Sequence, residues 1–234
     1  MKGVGFSTPF FVYMILSNMK RLLIFDLDGT LVNTLTDLTD SVNYALFQFG
    51  FPTHEFDEYR LFIGNGINKL IERSLPETNR QVETIAAVKS VFVEYYMNHK
   101  TDKSYVYDGV VELLTMLQEK GIMIGVASNK YHEATVEMIN HYFPTINFVK
   151  VLGQRDGVPT KPDPTIVFEV MAAANVQPDE VLYIGDSGVD MNTASAAKVD
   201  SVGVSWGLRS VEELQANNAT YIVHSAADIL KIIE

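Results

Sequence analysis

Leu22-Leu23-Ile24-Phe25-Asp26-Leu27-Asp28-Gly29-Thr30-Leu31 is the stretch whose reading decides the fold. Leu22 to Phe25 is a short, fully apolar run, as expected of a strand buried on both faces. Two acids follow at once, at the strand's carboxyl end, and Gly29 allows a sharp turn there. In open α/β sheets ligands bind beyond the carboxyl ends of strands. Asp26 and Asp28 are therefore candidate site residues. The plain alternative is a capped turn carrying two solvated carboxylates.

Similar runs recur downstream. Ile122 to Ala127, Phe148 to Leu152 and Val181 to Ile184 read as further buried strands, and Val202-Gly203-Val204 as a weaker one. Helical patterns lie between them. Val110, Leu113, Leu114 and Leu117 recur at helical spacing, with Gly121 as a stop. Tyr131, Ala134, Met138 and Tyr142 form another stripe. Asp163-Pro164 reads as a cap and first helical position, opening a helix to about Ala174. Ser210 and Glu213 have capping-box spacing. Alternating strands and helices predict an α/β fold, a doubly wound parallel sheet with a Rossmann-like core.

Residues 34–104 break the rhythm. They hold amphipathic stripes (Leu38, Val42, Ala45, Leu46, Phe49; Ile67, Leu70, Ile71, Leu75; Val88, Val91, Phe92, Tyr95, Tyr96) and no convincing strand. This predicts an inserted helical domain over 34–104 and a discontinuous core over 19–33 and 105–234.

The chain has 234 residues, enough for a substantial core. Lys and Arg number 18 and Asp and Glu 29, a formal charge of −11, which with no basic run argues against a nucleic-acid partner. There is no cysteine, so disulfides, thiolate metal sites and a cysteine nucleophile are out, and a reducing, cytoplasmic setting fits. The longest apolar run near the start, Phe10 to Leu16, is seven residues, whereas a membrane span needs about 20. Met1 to Asn18 has one Lys, Pro9 in mid-run and no small-residue cleavage site. It reads as a poorly ordered leader or an overlong start. Oligomeric state stays open between monomer and homodimer.

Further chemistry sits at other strand ends. Gly185-Asp186-Ser187-Gly188-Val189-Asp190 places a second acid cluster at a carboxyl end; the plain reading is an N-capped helix. Adjacent in a sheet, the two clusters would make a hard-oxygen pocket suited to Mg²⁺. The tetrad Gly-Asp-Ser-Gly also occurs in trypsin-like proteases, but the strand-then-helix context and lack of cysteine exclude that reading. Ser128 and Asn129 follow a strand, where a hydroxyl and N–H groups at a helix start can hold phosphate oxygens. Lys161, before a proline-started helix, offers a fixed cation for anionic phosphate. The five histidines are scattered without ligand spacing.

The four elements in this order resemble the haloacid dehalogenase-like hydrolase superfamily. Asp26-Leu27-Asp28-Gly29-Thr30 matches its first motif, Ser128 its second, Lys161 its third, and Gly185-Asp186 with Asp190 its fourth. The helical insertion resembles the cap domain. Gly64-Asn65-Gly66 before Leu70-Ile71-Glu72-Arg73 is similar to the phosphoglycolate phosphatase cap. Asn33-Thr34 departs from the usual Asp followed by Ser or Thr, at a place with no assigned catalytic role.

The resemblance implies an Mg²⁺-dependent phosphatase acting on a small phosphorylated metabolite, with 2-phosphoglycolate foremost. Asp26 would be the nucleophile, forming an aspartyl-phosphate, and Asp28 the acid and base. The Asp26 carboxylate, the Asp28 carbonyl and Asp186 would hold the metal, with Asp190 behind them. Ser128, Asn129 and Lys161 would bind phosphoryl oxygens. Thr30, Gly64, Asn65 and Gly66 join them as substrate-binding residues, with Lys69 adding a cation for a distal carboxylate. A phosphosugar mutase, a pyrophosphatase, a metal-free dehalogenase and a non-catalytic binding module are the alternatives. Asp28 and Asp186 speak against the dehalogenase.

Overall fold

The computed structural model describes residues 19–233; the leader, residues 1–18, lies outside them. In chain order the main elements are β1 (Leu22–Phe25), β2 (Val32–Asn33), α1 (Leu35–Gln48), α2 (Tyr59–Phe62), α3 (Ile67–Ser74), α4 (Val82–His99) and β3 (Tyr105–Val106). There follow α5 (Val110–Glu119), β4 (Met123–Tyr131), α6 (His132–Tyr142), β5 (Phe148–Gln154), α7 (Thr165–Ala174) and β6 (Val181–Gly185). The chain closes with α8 (Gly188–Ala197), β7 (Asp200–Val204), α9 (Val211–Ala216), β8 (Tyr221–Val223) and α10 (Ala226–Ile233).

Six strands form one parallel sheet in the order β5-β4-β1-β6-β7-β8. The chain steps outward from β1 in one direction and then, from β6, in the other. The switch point is at β1, where such sheets bind ligands. Side chains alternate across the sheet. Leu23, Phe25, Val126 and Ile184 join one apolar layer with α5, α6 and α10, while Leu22, Ile24 and Tyr183 join the opposite layer with α7 and α8. Both faces are covered, which is why the strands read as continuous apolar runs.

Residues 35–96 supply nearly all of a third apolar cluster, around Leu38, Tyr59, Ile71 and Phe92, joined from outside by Ala134. The chain leaves the sheet and returns at one place. β2 pairs antiparallel with β3, Val32 opposite Val106 and Asn33 opposite Tyr105. Beside this pair, buried Asp37 accepts the Lys103 N–H at 3.0 Å, the Ser104 N–H at 2.8 Å and the Ser104 hydroxyl at 2.7 Å.

Several boundaries differ from expectation. β8 and the β2–β3 pair were not foreseen, because two or three residues carry too little pattern to read. β4 runs to Tyr131, not Ala127, since Tyr131 pairs with Gln154 beyond a bulge. Ser128 and Asn129 thus end a strand and do not open a helix. α7 starts at Thr165, and Asp163 caps it from outside by accepting the Thr165 N–H at 2.9 Å. At Ser210 only half of the capping box forms, the hydroxyl accepting the Glu213 N–H. Phe49, expected on the apolar stripe of α1, is exposed.

Candidate active site

β1 delivers Asp26 to the sheet's carboxyl edge. The Asp26 N–H donates to Ile184 O at 2.9 Å, so pairing with β6 continues one residue past β1. The chain then turns, with the Gly29 N–H donating to Val32 O at 2.9 Å. Gly29 has φ +83°, and a Cβ there would stand 2.2 Å from Asp186 Oδ2. Glycine is needed both for the turn and for the approach of the two acid-bearing loops.

β6 supplies the second cluster. Asp186 is buried, and its Oδ2 accepts the Leu208 N–H at 2.7 Å. Asp190 lies in the first turn of α8. Its Oδ2 accepts from the Ser187 N–H at 3.1 Å and the Ser187 hydroxyl at 2.6 Å. Its Oδ1 accepts from Lys161 Nζ at 2.7 Å. The helix cap and the functional cluster are therefore one set of contacts. Lys161 Nζ also lies 3.1 Å from Asp26 Oδ2 and donates to the Tyr183 hydroxyl at 3.1 Å.

Oxygens of Asp26, Asp186 and Asp190 lie within 4.8 Å of one another. Burial, helped by the charge of Asp190 and Asp28 and opposed by Lys161, raises the Asp26 pKa from 3.8 to about 6. Burial and the charges of Asp190 and Asp26 push Asp186 well above the usual carboxylate range. For Lys161 burial works against the charge, but Asp190 and Asp26 outweigh it and raise its pKa. Of the three buried carboxylates, Asp26 and Asp190 face the Lys161 ammonium. All the donors are hard oxygens, so the cluster fits a divalent cation such as Mg²⁺.

Asp28 is oriented separately. Its carboxylate is absent from that cluster and accepts from the Thr34 hydroxyl at 2.8 Å and from Lys130 Nζ at 3.0 Å. Lys130 also donates to the Tyr96 hydroxyl at 2.5 Å and sits 4.6 Å over that ring. Its role was not read from the sequence. Lys130 lies in the stretch of β4 between Ala127 and Tyr131 where the register shifts, so strand alternation from Ser128 does not give its direction. Ser128 itself is buried, its hydroxyl accepts the Lys130 N–H at 3.3 Å, and its proximity to Asp26 opposes the upward pull of burial on that acid's pKa.

Asn129 is committed to the backbone. Its Nδ2 donates to Gly64 O at 3.0 Å and Lys161 O at 3.1 Å, and its Oδ1 accepts the Lys161 N–H at 2.8 Å. The side chain thus ties Lys161 to the Gly64 loop, which leaves the Asn129 backbone N–H, not its side-chain amide, as the group to meet a phosphoryl oxygen. Thr30 is buried, and its carbonyl accepts the Trp206 indole N–H at 3.1 Å.

A cavity of about 50 Å³ opens over these groups. Its floor is Asp26, Asp28, Ser128, Asn129 and Lys130, and its roof includes Ile63, Ile67, Leu70, Phe92 and Tyr96 from the helical insertion. Gly64 and Gly66 line it, and Asn65 does not. Lys69 is not the expected distal cation: its Nζ pairs with Glu72 at 2.6 Å on an exposed helix face.

The family described as haloacid dehalogenase-like hydrolase matches residues 23–204. The chain belongs to that family. It is 33% identical over 219 residues to a phosphoglycolate phosphatase of Haemophilus influenzae, covering 91% of this chain and 98% of the relative. A phosphoglycolate phosphatase of Mesorhizobium japonicum is 28% identical over 217 residues, 92% of this chain and 96% of the other. Among solved structures, one described as a candidate phosphoglycolate phosphatase from Lactobacillus delbrueckii superposes with a TM-score of 0.86 at 31% identity, covering 92% and 98% of the two chains. These likenesses agree with the site in supporting a phosphatase. Among the described residues no helix is long and apolar enough to cross a membrane.

Proposed function

We propose that this hydrolase cleaves small phosphate monoesters in an Mg²⁺-dependent reaction through an aspartyl-phosphate on Asp26. Residues 34–104 act as the cap over the site. The observation that carries the reading is the buried Asp26 carboxylate at the switch point, 3.1 Å from the Lys161 ammonium, with a second, separately oriented acid at Asp28.

An Asp26 oxygen attacks phosphorus as the bond to the leaving oxygen breaks, and Asp28 supplies that oxygen's proton. Asp28 then takes a proton from water as the water attacks phosphorus. The Asp26–phosphorus bond breaks and inorganic phosphate leaves. Lys161 and the Ser128 hydroxyl face the phosphoryl oxygens and balance their charge. Asp26, Asp186 and the Asp28 carbonyl would hold Mg²⁺, which supplies charge neutralisation for the transferred group. Asp190 fixes Lys161. The apolar side chains of Ile63, Ile67, Leu70 and Phe92 over the acids would limit the space for a substrate and favour a short one.

The relatives make 2-phosphoglycolate the first ester to test, and the cysteine-free composition leads us to assign the reaction to the cytoplasm. The test is a panel of phosphate esters turned over with Mg²⁺, followed by acid quench and mass spectrometry of the peptide containing Asp26. Phosphate release with a transient gain of one phosphoryl group on that peptide is the expected result. Turnover with no label at Asp26, under conditions that trap a known aspartyl-phosphate, would reject the covalent route.

A further inference from the structure

The carbonyls that end α2 have no partners within their own helix. Arg73, inside the insertion, donates to Leu61 O at 3.3 Å and Phe62 O at 3.0 Å. The others are met from across the gap by Arg209, on the loop after β7. Its guanidinium donates to Arg60 O, and to Ile63 O at 2.8 Å. It also reaches Leu61 O at 3.5 Å. Ile63 and Gly64 roof the cavity, and a Cβ on Gly64 would lie 3.8 Å from Arg209 Nη2.

The base of this clasp is the acid cluster itself. Leu208, next in the chain, donates its N–H to Asp186, while its side chain packs against the insertion's apolar cluster. Arg209 Nε lies 3.7 Å from Glu213 Oε1, and that same oxygen accepts the Gly188 N–H at 3.0 Å, at the start of α8. A planar guanidinium with several fixed donors can span neighbouring carbonyls; an ammonium cannot do so in the same geometry.

We propose that Arg209 is the positioning residue that seats the helical insertion over the active site, fixing the roof at Ile63 and Gly64 relative to Asp186. This rests on reading residues 34–104 as a cap. Arg209 touches no reacting atom. It acts through the loop it holds, and selects for esters short enough to be enclosed.

The test compares wild type with Arg209→Ala and Arg209→Lys on 2-phosphoglycolate and on p-nitrophenyl phosphate, with amide hydrogen exchange of residues 59–66. The aryl ester is much bulkier than 2-phosphoglycolate, so its turnover should depend less on the roof being seated by the clasp. Both variants should lose roughly 10²-fold in kcat/KM on the short ester, the scale expected from misplacing a positioned group by about 1 Å. They should lose far less on the aryl ester, and residues 59–66 should exchange faster. Equal losses on both esters, no loss, or unchanged exchange would overturn the proposal. Full recovery in Arg209→Lys would overturn it too, because charge near Asp186 would then suffice. If Arg209→Ala does not fold, Arg209→Lys decides alone. If wild type ignores 2-phosphoglycolate, the substrate reading has failed; the exchange comparison still tests the clasp.

Discussion

Asp26→Asn should stabilise the metal-free protein while it removes activity. The Asp26 pKa is raised from 3.8 to about 6, chiefly by burial. An acid with a raised folded-state pKa holds its proton where the unfolded chain has released it. Stability therefore falls as pH rises from about 4 to about 6, and stays lowered above that. Two pKa units correspond to about 3 kcal/mol. The opposing pull of Lys161 is already contained in that net shift, and Lys161 keeps its contact with Asp190 at 2.7 Å. An asparagine can still accept the Leu27 N–H that now donates to Asp26 Oδ1 at 2.7 Å. For a chain of this size the change corresponds to a rise in Tm of roughly 6–12 °C at pH 8.

The assay is thermal unfolding of wild type and Asp26→Asn in chelator across pH 4.5–8. The gain should grow between pH 4.5 and about 6 and then level off. Added Mg²⁺ should raise the Tm of wild type more than that of the variant and narrow or reverse the difference. Turnover should fall by about 10³-fold or more, as for loss of a covalent nucleophile. A variant no more stable than wild type at pH 8 in chelator, or a gain independent of pH, would refute the electrostatic reasoning.

Chelator should abolish phosphate release and Mg²⁺ restore it, and Asp186→Asn should shift the half-activating Mg²⁺ concentration upward at least about tenfold; activity that persists in chelator would count against the oxygen-ligand site. Lys130→Met should lower kcat/KM by roughly 10- to 100-fold, since it frees Asp28 from its cation and severs the link to Tyr96. Tyr96→Phe, which leaves Lys130 on Asp28, should cost less, and the reverse ranking would contradict the arrangement. Gly207→Ala should depress both Tm and activity, because its Cβ would stand 2.2 Å from Asp186 Cβ and 2.5 Å from Gly29 O. An active variant with an unchanged Tm would mean that this loop yields easily.

Legibility followed burial and periodicity. β1, β4 and β6 could be read because strands covered on both faces are written as apolar runs, and the half-buried edge strand β5 because Phe148, Val149, Val151 and Leu152 still make a short apolar, β-branched stretch. Asp26 and Asp186 could be read because acids at the ends of such runs have few structural reasons to be there. What escaped reading depends on contacts between distant segments. Lys130 looks like any lysine until β4 is seen to continue to Tyr131, and its partner Tyr96 is 34 residues away. Arg209 donates to carbonyls, which leave no trace in side-chain identity, 149 and 146 residues earlier. Lys69 departs from the sequence expectation for a related reason. A charge in the first turn of a helix is visible in sequence, but the Glu72 pairing that turns it away from the cavity is a matter of which helix face is buried.

The two acids proposed for catalysis differ in what holds them, and this bears on why the insertion sits directly after the first motif. Asp26 is anchored by the sheet and its flanking loops: the Ile184 carbonyl, the Leu27 N–H and Lys161. None of these belongs to the insertion. Asp28 is held by Thr34, at the mouth of the insertion, and by Lys130, which in turn is bonded to Tyr96 on α4. A displacement of the helices would leave Asp26 in place and disturb Asp28 from both sides. The acid proposed to form the covalent bond thus rests on the buried sheet. The setting of Asp28, the acid proposed to handle protons, depends on where the insertion lies, so on this proposal the alignment of the two acids is tied to the seating of the insertion over the cavity.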